Sequence, residues 1–242
     1  MELRGKVALV TGAARRVGAA IARALAAEGM DIAVHYGSSA SEARQVVTEL
    51  RALGVGAEGF SADLTDVAAA QGLAGRVVAH FGRLDVVVNS AANMIEGQVD
   101  SVTPEVWEEV FALNLRAPFF VTQGALPALR AAKGKVVNIA DLAGLEPWPR
   151  YVAHCTSKAG VVMLTKSLAR ALAPDITVNA VAPGAVLLPD DWDDVARKHF
   201  AETTPLKRLG SPEDVAQAVV YLLEADYVTG EVLVVDGGRL LR

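Results

Sequence analysis

The sequence predicts an α/β protein: one doubly wound parallel sheet with helices on both faces. Three observations predict it. Short apolar runs bounded by Gly or Asp alternate with longer amphipathic stretches along the whole chain. The runs are apolar at successive residues rather than at every second one, which marks strands buried on both faces. The connections are short, with no repeat, low-complexity segment or linker, so residues 1–242 read as a single domain.

Each element has its own signal. Lys6 to Thr11 (KVALVT) is a buried strand, and Arg16 to Gly29 follows with Ala, Ile and Leu at helical spacing and a closing Gly. Asp31 to Tyr36 is the second strand and Ser39 to Leu53 the second helix. A third strand runs into Ser61-Ala62-Asp63, and a helix follows to about Phe81. Leu84 to Val88 (LDVVV) is the fourth strand. Thr103-Pro104-Glu105 opens a long helix, with Thr as cap and Pro in the first turn. Lys135 to Ala140 is the fifth strand, Tyr151 to Ala173 a long helix and Ile176 to Val181 the sixth strand. Pro183 to about Lys198 reads as a loop with a mobile segment. Ser211-Pro212-Glu213 caps another helix, and Glu231 to Val235 is the last strand.

Composition narrows the function classes. The chain has 242 residues, 23 Lys+Arg against 28 Asp+Glu, and a formal net charge of −5. That mildly acidic balance, with no long basic run, argues against nucleic acid as a partner. Apolar residues make up 52% of the chain, which excludes a disordered one. The mean hydropathy of +0.31 comes from dispersed Ala, Val and Leu, and no stretch has the length of a membrane span. Cys155 is the sole cysteine, so neither an intrachain disulfide nor a Cys-rich zinc site can form. Met1 to Thr11 is too short for a signal peptide. The expectation is a cytoplasmic protein.

Ligands of such sheets bind at the carboxyl ends of the strands, where the strand order reverses. The first strand runs into TGAARRVG, Thr11 to Gly18. A turn that opens a helix there aims backbone N–H groups and the positive helix end at a pyrophosphate. Gly12 and Gly18 let the backbone turn and approach the ligand, with Arg15, Arg16 and Val17 between them. An NAD site places an acid at the end of the second strand. Here the strand ends in His35-Tyr36-Gly37-Ser38-Ser39, and Asp31 stands at its wrong end. Two arginines and the Ser38 hydroxyl with no opposing carboxylate suit a 2′-phosphate, so the expected cofactor is NADP (NADPH).

The TGAARRVG turn resembles the TGxxxGxG fingerprint of the short-chain dehydrogenase/reductase family, a Rossmann-type fold, with Arg16 where the middle Gly usually stands. Arg at that place is similar to the pteridine reductase and dihydromonapterin reductase branch. The resemblance spans nearly the whole chain. Asn89-Ser90-Ala91-Ala92 corresponds to the family's NNAG, Asn114 in LNLRAPFF to its helix asparagine, and Pro183-Gly184 to the motif after strand six. It implies cofactor contacts at Asp63 (adenine), Leu64, Asn89, Ser90, Ala91, Pro183, Gly184 and Val186, and at Lys158 (nicotinamide ribose). Asn89 also reads as partly structural, tying strand four to its neighbours. A homotetramer is implied as well.

The family's proton donor is a Tyr four residues before the Lys; here that position is His154. The i, i+4 spacing puts His154 and Lys158 on one helix face. Imidazole is a plausible acid, and a nearby Lys158 disfavours its cation. Cys155 points about 100° away from His154 and is no nucleophile there. The family Ser position is Ala140 or Asp141, with Asp141 favoured from the branch, where it would contact a pterin's amino-pyrimidine edge. Met94 and Leu188 match other pocket positions of the branch, and Tyr151, Trp148 and Trp192 are aromatics within reach. His35, His80 and His199 show no metal-ligand spacing. The leading expectation is an NADPH-dependent reductase of a dihydropterin or dihydrofolate C=N bond, catalysed by His154, Lys158, Asn114 and Asp141. Two alternatives stay open: a carbonyl or 3-oxoacyl thioester reductase, and an NADP-binding protein that has lost turnover with its Tyr.

Overall fold

The computed structural model describes residues 1–186 and 193–241. Seven strands, β1 (Val7–Val10), β2 (Asp31–Tyr36), β3 (Ala57–Ser61), β4 (Val86–Asn89), β5 (Lys135–Ile139), β6 (Thr177–Pro183) and β7 (Val232–Val235), form one sheet in the order β3-β2-β1-β4-β5-β6-β7. Every pairing is parallel. β1, β4 and β5 are buried at every residue, which is why they read as unbroken apolar runs.

The helices are α1 (Arg16–Ala27), α2 (Ala40–Ala52), α3 (Val67–Phe81), α4 (Pro104–Phe111), α5 (Ala117–Ala132), α6 (Val152–Leu172), α7 (Asp194–Thr203) and α8 (Pro212–Glu224). α1, α2 and α8 bury Ile21, Leu25, Val46, Leu50, Val219 and Leu222 on one sheet face. α3, α5 and the end of α6 bury Leu73, Val77, Val121, Leu129 and Leu172 on the other. Full burial of one such side chain contributes about 1.5–3 kcal/mol.

Helix starts follow the expected chemistry. The Thr103 hydroxyl accepts from Val106 N–H, with Pro104 behind it. Ser211 and Asp214 form a reciprocal capping box at α8. Asp66 caps α3. α1 is different: Arg15 provides no side-chain cap, and no acid stands in the first turn.

Two expectations are corrected. The single long helix after Thr103 is interrupted by a π-helical turn, Ala112–Arg116, that joins α4 to α5. Its extra residue leaves no trace in the apolar periodicity. The stretch from Pro183 to Lys198 is not wholly a loop: β6 runs through Pro183 and α7 begins at Asp194. α7 is rich in charge and was masked by that polarity.

Candidate active site

β1 and β4 are neighbours in the sheet, yet β1 leads toward β2 and β4 toward β5. The loops after them diverge and open a cavity of about 890 Å³. Its two ends differ in chemistry.

At the first end, the turn after β1 is built from backbone. Gly12 has φ +65°, and a Cβ there would lie 2.9 Å from Ala91 Cα. A Cβ on Gly18 would strike the Gly12 carbonyl. Arg16 adopts φ +54°, so the backbone keeps the left-handed shape although Gly is replaced. Thr11 Oγ1 accepts from Ser90 and Ala91 N–H at 2.9 and 3.0 Å, which fixes β1 against the exit of β4. His35 is buried behind the turn: Nδ1 accepts from Gly12 N–H at 3.1 Å, and Nε2 lies 3.1 Å from the Ala62 carbonyl. Because Gly12 N–H is a donor, Nδ1 is the acceptor and Nε2–H donates to Ala62. Burial pushes His35 down to about 4, with small opposing and reinforcing effects from Ala62 and Arg76.

Arg15, Arg16, Val17, Tyr36, Ser38, Asp63 and Leu64 line this end as expected. Gly37-Ser38-Ser39 place no carboxylate after β2. Among the described residues the Arg15 guanidinium has a single ion-pair partner, the exposed Glu42 at 3.9 Å. The Asp63 carboxyl accepts from Thr65 Oγ1 and N–H, which hold it below the usual carboxylate range. An uncapped helix N-terminus, two positions where a Cβ does not fit and flanking cations suit a dinucleotide phosphate.

At the second end, His154, Lys158 and Asp141 all line the cavity. Lys158 Nζ donates to the Ile139 carbonyl at 2.8 Å. Burial pushes its ammonium down to about 8, partly offset by the Asp141 carboxylate. Asp141 Oδ1 accepts from Ala143 N–H at 2.8 Å, while Oδ2 lies 3.6 Å from His154 Nε2. His154 Nδ1 sits 3.1 Å from the Asn93 carbonyl, and Nε2 is buried with no hydrogen-bond partner among the described residues. The sequence pointed to Lys158 as a charge near the imidazole; the structure adds a second, Asp141, of opposite sign and 3.6 Å from the ring. An imidazole, a carboxylate and an ammonium at one cavity wall form an acid–base set.

Ser90, Ala91, Met94, Pro183, Gly184 and Val186 lie on the cavity wall as expected. Three expected residues do not. Asn89 donates through Nδ2 to Asn138 Oδ1 at 2.8 Å and Thr122 Oγ1 at 3.1 Å, so its amide ties β4 to β5 and α5. Asn114 is buried behind the wall: Oδ1 accepts from Asn93 N–H, and Nδ2 donates to the Asn93 carbonyl and Ser157 Oγ. Tyr151 turns its hydroxyl to Glu96 Oε2 at 3.0 Å. Trp148 is off the wall too, donating to Glu146. Leu188 and Trp192 lie outside the described residues. Cys155 Sγ contacts the Trp148 carbonyl, away from the imidazole nitrogens. Among the described residues no His, Cys, Asp and Glu cluster could hold a metal, and no helix is long and apolar enough to cross a membrane.

Sequence reading missed Thr11 as a clamp, and Asn93 and Ser157 as supports of the imidazole. Asn93 acts through its peptide group, which no side-chain motif can reveal.

The family model described as enoyl-(acyl carrier protein) reductase matches residues 12–239. The chain is 38% identical over 242 residues to 3-oxoacyl-[acyl-carrier-protein] reductase FabG of Staphylococcus aureus, covering 98% of each chain. It is 36% identical over 249 residues to 3beta-hydroxysteroid dehydrogenase 1 of Eggerthella lenta, covering 99% of this chain and 95% of that one. A mutant short-chain dehydrogenase/reductase of Serratia marcescens superposes with TM-score 0.92 at 34% identity, over 99% of this chain and 100% of the other. A blue fluorescent protein from a metagenomic library, solved in complex with NADPH, gives TM-score 0.92 at 35% identity over 99% of both chains.

Proposed function

The chain belongs to the short-chain dehydrogenase/reductase family of oxidoreductases, and we propose that it is an NADPH-dependent reductase of a carbonyl group, acting on a 3-oxoacyl thioester or a similar ketone. The observation that carries the reading is the acid–base set of His154, Lys158 and Asp141 at the far end of a cavity whose near end is cationic. Relatives named for 3-oxoacyl reduction and hydroxysteroid dehydrogenation support the same exchange between ketone and alcohol. The pterin reading draws less support. It needs both oxygens of a carboxylate edge for the ring, and Asp141 Oδ1 already accepts from Ala143 N–H. No pterin enzyme is among these relatives.

Arg15 and Arg16 with Ser38 hold the 2′-phosphate of NADPH, each charge-assisted bond contributing about 1.5–3 kcal/mol. Asp63 and Leu64 receive the adenine, and the turn from Gly12 to Gly18 the pyrophosphate. Ser90, Ala91, Pro183, Gly184 and Val186 bound the nicotinamide end, with Lys158 at its ribose. When bound, the reduced nicotinamide supplies hydride to the substrate carbon. His154 supplies the proton to the neighbouring oxygen, and Met94 borders the substrate.

A substrate panel tests this. A 3-oxoacyl thioester, a 3-oxosteroid and a dihydropterin are each offered with NADPH and with NADH, and cofactor oxidation is followed. The keto substrates with NADPH should exceed both the dihydropterin and the NADH reactions by about tenfold or more in kcat/KM. Preference for the dihydropterin would restore the C=N reading. Tight NADPH binding without turnover of any substrate would favour a protein that has lost turnover.

A further inference from the structure

The polar contacts around His154 fix where its protons sit. Asn93 N–H is a backbone donor, so the Asn114 atom 2.9 Å from it must be the oxygen Oδ1. The other Asn114 atom is therefore the NH2 group. Its two protons go to the Asn93 carbonyl at 2.9 Å and to Ser157 Oγ at 3.1 Å. The Ser157 hydroxyl donates its own proton to the His154 carbonyl at 2.7 Å. No proton is left over for His154 Nδ1, although Asn114 Nδ2 lies 3.4 Å away. Nδ1 must itself carry a proton and donate it to the second lone pair of the Asn93 carbonyl, 3.1 Å away.

That leaves Nε2. A neutral ring with its proton on Nδ1 would aim the Nε2 lone pair at Asp141 Oδ2, 3.6 Å away. Two electron pairs would then face each other in a buried place where Nε2 has no other partner among the described residues. A buried acceptor left so costs about 1–3 kcal/mol. One proton between the two groups removes the conflict, and imidazole is the stronger base of the two.

We propose that His154 and Asp141 form a single two-group acid, resting as an imidazolium–carboxylate pair, with Asp141 the positioning residue that keeps the proton on Nε2. The inference rests on the carbonyl-reduction reading for its chemistry and on the contacts above for its geometry. As the substrate carbon accepts hydride, the carbonyl π pair moves to oxygen. The Nε2–H bond breaks, an O–H bond forms, and the ring is left neutral beside the carboxylate. Solvent returns the proton past Asp141, whose side chain is 25% exposed against 4% for His154. The charged groups facing the ring pull in opposite directions: Asp141 favours its cation, and Lys158, one turn along α6, opposes it. Asp141 lies 3.6 Å from the ring, and its charge is also felt at Lys158. The 3.6 Å separation is that of a cavity without substrate, where such bonds are often long.

The test reads the ring without any substrate. Histidine labelled with ¹⁵N is introduced, and the His154 signals are identified by their loss in His154→Gln. At pH 7 the wild-type ring should carry protons on both nitrogens. In Asp141→Asn the ring should be neutral with its proton on Nδ1. Asn keeps an oxygen for Ala143 N–H, and Asp141→Ser, which can also accept that bond, should give the same ring state. With a keto substrate, Asp141→Asn should lower kcat roughly tenfold or more with little change in KM. A wild-type ring that is neutral at pH 7, or one whose spectrum is unchanged in both variants, overturns the pair. A neutral ring with its proton on Nε2 overturns the hydrogen-bond assignment. If the ring behaves as expected but no keto substrate is reduced, the pair stands and the carbonyl reading fails.

Discussion

His35 and His154 are both buried and both line the same cavity, yet the two ends of the molecule use imidazole in opposite ways. At the nucleotide end, His35 has each nitrogen matched to a backbone group, Gly12 N–H and the Ala62 carbonyl. Its neutral tautomer satisfies both, and burial keeps it neutral down to about pH 4. At the catalytic end, His154 has one nitrogen matched to a backbone carbonyl and the other aimed at a carboxylate. The same side chain at similar burial is a strut in one place and, in the proposed reaction, the proton carrier in the other. What separates them is whether the second nitrogen has a fixed partner, rather than burial itself.

Three experiments sharpen or break this contrast. The largest effect is expected at the catalytic end. His154→Ala should lower kcat for a keto substrate at pH 7 by about 10²- to 10⁴-fold, as removal of a general acid does. NADPH affinity, followed by fluorescence titration, should stay within about threefold of wild type. A loss of only a fewfold in kcat would erase the difference between the two histidines.

The next largest lies at the nucleotide end, and it concerns stability. The His35 value is lowered from 6.5 to about 4 on folding, so the unfolded chain binds the proton more readily. The stability that neutral His35 contributes is complete above pH 6.5 and is lost as pH falls toward 4. The loss is on the order of 3 kcal/mol. His35→Gln, whose amide can accept from Gly12 and donate to Ala62, should lose that part of the acid sensitivity in urea titrations between pH 7 and pH 4. An equal acid loss in both proteins would show that His35 is not held neutral.

The smallest effect comes from Lys158. Its ammonium is lowered from 10.5 to about 8, so at pH 7 the folded protein carries a buried charge at a cost. Lys158→Met should raise stability at pH 7 by roughly 2 kcal/mol while activity falls. The wild type should gain stability as pH rises from 8 toward 10.5, and the variant should not. Unchanged or lower stability in Lys158→Met would mean that the Ile139 bond and the Asp141 charge offset the burial.

Much of this was legible in the sequence because buried parallel strands leave continuous apolar runs. Asp31–Tyr36 and the end of α3 at Phe81 fall where the pattern puts them. The i, i+4 spacing brings His154 and Lys158 to one wall, and the Gly-rich turn reaches the mouth of the cavity. The sequence did not reveal which polar atoms the backbone had already claimed. Asn89, Asn114 and Tyr151 carry the right chemistry but are engaged by Thr122, Asn93 and Glu96. The Asn93 carbonyl, which orients the imidazole, has no sequence signature. Residue type at Arg16 and Asp141 pointed to the pterin branch, while the relatives by name favour the carbonyl alternative that the sequence also left open.

The π-helical turn between α4 and α5 has a practical consequence for anyone altering this pocket. Asn114 sits inside it, and the turn closes with Ala117 N–H bonded to the Ala112 carbonyl, one residue longer than an α-helical step. Removing one of the residues between Phe111 and Ala117 would let the α-ladder close in its place, because the donor of an α-helical step sits over its acceptor much as Ala117 sits over Ala112. Val121, Ala125 and Leu129, fully buried against the sheet, would keep their faces. The cost would fall on the turn itself, where Asn114 meets the Asn93 peptide. The same deletion inside the regular part of α5 would instead rotate all that follows by about 100°. The turn is therefore the one place along this rod that tolerates a change of length without a change of phase.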